Sequence, residues 1–106
     1  MIDAHLRHLH APSGSSLRVS DALFAWRGGQ VALLGERTDD HWVLARGWPE
    51  EDRLADIRRW YFSSPEAFAT QVFRLVREAT CNIAESTHVR DAALTWATAA
   101  DLADCR

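Results

Sequence analysis

The chain has 106 residues, 47% of them hydrophobic and 25% charged, with a formal net charge of -3. That length suits one domain and falls well short of the roughly 250 residues of a barrel enzyme, and no apolar run approaches the roughly 20 residues that span a bilayer. The negative balance argues against a dedicated nucleic-acid binder but leaves room for a local basic face.

All 12 basic residues are arginine. A GC-rich bacterial genome accounts for that usage. Its consequence is that every fixed cation is a planar, permanently charged guanidinium. Cys81 and Cys105 lie far apart in sequence and beside no other good ligand. They are expected to be reduced thiols of a cytoplasmic protein. The chain does not open with a basic segment leading into an apolar one, so a signal peptide is not expected.

The opening "MIDAHLRHLH" holds Asp3, His5, His8 and His10. On a helix His5 and His8 share a face; on a strand His8 and His10 do. A catalytic zinc needs three protein ligands, and Asp3, His41 or His88 would have to complete the set, with no spacing that selects them. "MIDAH" followed by a His-x-His pair resembles the first strand of metal-dependent amidohydrolases, which implies metal-assisted hydrolysis inside a large barrel. The spacing from "MID" to the pair departs from that pattern, and this chain cannot hold the barrel. No metal or cofactor is therefore expected. Ile2, Ala4 and Leu6 alternate with Asp3, His5 and Arg7 as an edge strand would, whereas Ile2, Leu6 and Leu9 suit a short helix. The segment closes in the loop "HAPSGSS" (residues 10–16).

Residues 17–62 read as an antiparallel sheet. Strands are expected at about 17–27, 30–38 and 41–48, turning at Gly28-Gly29 and at Asp39-Asp40, with a fourth strand at about 54–62. Trp26 then sits opposite Val31, and Arg37 opposite Trp42. One face carries Phe24, Trp26, Val31, Leu33, Trp42 and Leu44, bordered by Arg37 and Arg46. The other carries Leu23, Ala25, Ala32, Leu34, Val43 and Ala45. Neither alternates with polar residues, so both need cover.

"SSPEAF" supplies an N-cap at Ser64, a first-turn Pro65 and an acidic Glu66. Phe68, Val72, Leu75, Val76 and Ala79 extend the stripe of a helix over 65–79. A second, alanine-rich helix is expected over about 87–104, with Val89, Ala93, Trp96, Ala100 and Ala103 on one side.

These elements predict a single α+β domain: a meander of about four strands, with a fifth from the N-terminal segment as an option, then two helices packed on one face. The alanine-rich face is the expected seat of the helices. The tryptophan-rich face is then left for the opening segment, a second copy or a ligand. Phe24, Trp26, Leu33, Arg37, Trp42, Leu44, Arg46 and Trp48 are its candidate interface or ligand-binding residues.

No nucleophile elbow, phosphate loop, C-x-x-C or H-E-x-x-H motif occurs. The functional expectation is a non-enzymatic binding or interaction protein acting as a homodimer through that aromatic face. The order of four strands and a helix opening with "SSPEAF" is similar in topology to small single-strand-DNA-binding coactivator domains. That resemblance implies a nucleic-acid surface built on Arg37, Arg46, Trp42 and Trp48. A third expectation is an aromatic pocket for a small apolar or cationic effector.

Overall fold

Turn chemistry organises the described strands that precede residue 63 into one sheet. In the computed structural model, which describes residues 7–10, 15–38, 40–50 and 53–104, six strands precede two helices. The strands are β1 (Arg7–His10), β2 (Ser16–Val19), β3 (Leu23–Gly28), β4 (Val31–Arg37), β5 (Trp42–Glu50) and β6 (Arg53–Phe62). Each pairs antiparallel with its neighbour in chain order. The helices are α1 (Pro65–Thr80) and α2 (Ile83–Asp104).

Two local features of the sheet differ from the sequence expectation. The strand expected over 17–27 is two strands, β2 and β3. The chain turns back at Ser20, whose N–H donates to the Leu23 carbonyl at 2.8 Å; Ser20 and Asp21 are turn formers inside an otherwise apolar run. The next turn centres on Gly29-Gln30, with Gly29 at φ +59 in the left-handed region that glycine adopts without strain. Trp26 consequently pairs with Leu33, and Gly28 with Val31. This moves the pairing by two residues rather than one, so every side chain keeps its face. At the third turn Arg37 sits opposite Trp42 and Gly35 opposite Leu44, as the Asp39-Asp40 turn predicts.

The helix signals act as read. The Ser64 side chain accepts the Ala67 N–H at 3.1 Å, and Pro65 opens α1. Cys81, exposed and free, ends α1 in the left-handed conformation at φ 57, its N–H donating to the Arg77 carbonyl at 2.8 Å. Cys105 lies outside the described residues. The second helix begins about one turn earlier than expected. Asn82 Oδ1 accepts the Glu85 N–H at 3.0 Å and so caps it.

The helices lie on the tryptophan-rich face, and this corrects the expected seating. Phe24, Trp26, Leu33 and Leu44 share one core with Phe68, Val72, Leu75 and Val76 of α1 and Val89, Ala93, Trp96 and Ala97 of α2. A buried Phe or Leu contributes about 1.5–3 kcal/mol, against about 0.8 kcal/mol for one methylene-sized group. Covering the bulky face is worth several times more than covering the alanines. The small residues of α2 serve this packing by making room for large partners.

Phe68 shows how close the layers come. Its ring lies 6.1 Å from Phe24, 6.2 Å from Phe62 and 5.5 Å from Trp96, centroid to centroid. A Cβ added at Gly35 would meet Phe68 Cζ at 2.7 Å and Phe24 Cβ at 3.3 Å. Gly35→Ala should therefore lose about 1–3 kcal/mol of stability through overpacking, measured as a lowered denaturant midpoint. An unchanged midpoint would contradict this seating of α1.

Candidate interaction surface

The residues expected to form an interface divide into three groups. Phe24, Trp26, Leu33 and Leu44 are at most 1% exposed beneath the helices, so no second molecule reaches them. Arg37 and Trp42 are half-buried at the margin of the same face. The Arg37 guanidinium lies 4.9 Å from the Trp96 ring centroid, donates to the Trp96 carbonyl at 3.3 Å and also donates to the Asp21 carbonyl. Trp96 Nε1 donates in turn to the Ser20 carbonyl at 2.9 Å. These bonds fasten the β2–β3 turn to α2. The buried indole nitrogen of Trp42 has no hydrogen-bond partner among the described residues.

Arg46 and Trp48 lie outermost, on β5. Arg46 reaches Glu78 of α1 at 3.9 Å, and the guanidinium carbons of Arg46 and Arg58 lie 5.8 and 5.3 Å from the Trp60 ring centroid. Trp48 is 41% exposed. The margin of β5 and β6 thus joins arginines to aromatic rings, but those arginines already engage their own chain.

Among the described residues no helix lies on the opposite face of the sheet. Its residues fall into three rows across the strands. The middle row is Arg18, Ala25, Leu34, Ala45 and Arg59. Beside it run Leu23, Glu36, Val43 and Tyr61, and on its other side Arg27, Ala32 and Gly47. The centre is apolar and built of small residues. Tyr61 at 66% and Ile57 at 41% are exposed along β6. Arg58 and Arg59 are exposed on the same strand, and such charges oppose edge-to-edge pairing with another sheet.

The described histidines form no cluster of three potential metal ligands. His5 lies outside the described residues, while His8 pairs with Arg18 and His10 with Ser16 in the β1–β2 register. His41 is tied into its turn, with Nδ1 at 2.8 Å from Asp40 Oδ1 and 2.9 Å from Thr38 Oγ1. The hydrogen bond from His41, and its charge, hold the Asp40 carboxyl below its ordinary value. Among the described residues no group of three His, Cys, Asp or Glu side chains is placed to hold a metal. No helix among them is long and apolar enough to cross a membrane.

One polar cluster escaped sequence reasoning. Glu85, in the first turn of α2, is wholly buried, and its Oε2 accepts from the Ser15 hydroxyl and from Trp26 Nε1 at 3.2 Å. A glutamate at a helix start reads as a solvated charge favoured by the helix dipole. Only the packing of α2 over the end of β3 turns it inward. There its carboxylate ties the first turn of α2 to Trp26 of β3 and to Ser15. No family model, curated protein or solved structure matches the chain.

Glu85→Ala strands the Ser15 hydroxyl and the Trp26 indole N–H in the core. It should cost about 3 kcal/mol in chemical denaturation, whereas Glu78→Ala, at the surface, should cost less than about 1 kcal/mol. Equal costs would contradict the assigned role of Glu85.

Proposed function

We propose that this chain is a non-enzymatic interaction protein that holds a protein partner on the helix-free face of its sheet. One observation carries the reading: both faces of the sheet are apolar, and the helices cover only one. Ala25, Leu34, Val43 and Ala45, each half-buried, are spread over three adjacent strands on the face opposite the helices. Contiguous apolar surface of this kind marks sites of association. Small side chains on a pleated sheet offer a broad, shallow seat, which suits a protein surface better than the concave pocket that small ligands need. The lack of catalytic motifs in the sequence agrees with a binding role. The aromatic residues first expected at the interface build the scaffold that presents this face.

A photo-crosslinking residue in place of Leu34 tests the reading in living cells. Position 34 should yield a discrete protein adduct, and the same residue at Arg74, exposed on the outer side of α1, should not. No adduct from position 34, or equal adducts from both positions, would overturn the proposal.

A further inference from the structure

We propose that the foot of the β5–β6 hairpin binds a nucleotide unit, with its phosphate held by Arg46 and Arg58 and its base stacked on Trp48. The site lies on the helix side of the sheet, where Arg46 is in register with the core residue Leu33. It is independent of the helix-free face.

Two arginines meet there. Arg46 of β5 and Arg58 of β6 are direct cross-strand partners. Like charges placed directly opposite one another destabilise a sheet. Both guanidinium groups nevertheless converge on one ring, at 5.8 and 5.3 Å from the Trp60 centroid. Stacking on an indole occupies the flat face of a guanidinium and leaves the N–H donors at its edge able to bind an anion. Compensation from within the chain is slight. The exposed Glu78 carboxylate reaches Arg46 at 3.9 Å, and a surface pair of that kind is worth little. Arg58 is exposed and forms no ion pair among the described residues. An anion between the two groups offsets their repulsion. A phosphate suits the place, because its oxygens can accept from both arginine forks at once.

Trp48 supplies the second half of the site. The β4–β5 pairing reaches only to Gly47, and beyond it β5 and β6 run on together as a two-stranded arm. Trp48 is the first residue of that arm on β5. It stands two positions beyond Arg46, hence on the same face and about 7 Å away. Its indole is exposed, and stacking a base on it removes apolar surface from water. The register also shifts between Arg46 and Trp48, so that Gly47 alone faces the two residues between Ala55 and Arg58. Such bulges re-aim side chains and recur beside functional sites. An exposed indole next to paired cations is the arrangement that holds nucleotides without reading their sequence. Of the four residues first expected to build a nucleic-acid surface, Arg37 and Trp42 serve the margin of the core. Arg58 and Trp60 take their place beside Arg46 and Trp48.

Fluorescence anisotropy of a labelled thymidine oligonucleotide at low salt tests the site, with circular dichroism as the check on folding. The wild-type chain should bind, and binding should weaken as salt rises. R58A and W48A, both at exposed positions, should each weaken binding by roughly fivefold or more. R59A, next in the chain but on the opposite face of β6, should bind as the wild type does. Titration with thymidine monophosphate, read by tryptophan fluorescence, separates the two sources of the nucleotide. An affinity comparable to that of the oligonucleotide points to a free nucleotide, and a much weaker one to a single strand. The inference is overturned if neither probe binds at low salt, if folded R58A or W48A binds as the wild type does, or if R59A loses as much as R58A. It is also overturned if polyglutamate displaces the labelled probe as well as unlabelled oligonucleotide does, since charge alone would then account for binding.

Discussion

The contact on which the structure depends is the Phe68 ring seated over Gly35. A sheet and a helix layer can approach this closely only where one of them lacks a side chain, and Gly35 supplies that gap at the centre of β4. Around it Phe24, Phe62 and Trp96 meet Phe68 edge-on or tilted, the arrangements that aromatic quadrupoles favour. With α1 fixed there, α2 falls over β3, which brings Glu85 to Trp26 and Trp96 to the β2–β3 turn. The buried polar bonds of the core follow from that one seating.

Seating the helices on the bulky face also decides what remains outside. Among the described residues, the surface left over has small residues at its centre, arginines towards its ends and Glu36 as its glutamate. Aromatic residues are enriched both in cores and in interfaces, so a tryptophan-rich face in a sequence does not by itself say which of the two it forms. Here the competition between faces was settled by size. Large side chains gain more from burial, and alanine-rich helices are the complement of large side chains rather than of other alanines.

Much of the fold was legible because it rests on local rules. Ser64 and Pro65 start α1 for reasons contained within one helical turn, and the Asp39-Asp40 turn sets Arg37 against Trp42. The misplaced Gly28-Gly29 turn did no harm to the assignment of faces, since a shift of two residues preserves alternation. The missed turn at Ser20 had a local signal, Ser followed by Asp, hidden inside an apolar run. The candidate surface was less legible. Its residues were correctly grouped on one face, but the function first given to the opposite face required knowing where the helices land. Glu85 had no signal at all in sequence, because its burial depends on Ser15 and Trp26, which are 70 and 59 residues away.

The sequence by itself determined the order of elements, the two faces of the sheet and the need to cover both, because alternation, capping and turn preference act over a few neighbouring residues. Only the tertiary structure decided which face the helices take, that Arg37 serves an internal turn, and that Glu85 is a core residue. Those outcomes depend on shape and burial between segments distant in the chain, where side-chain size and the missing Cβ at Gly35 select among packings that the local rules leave equal.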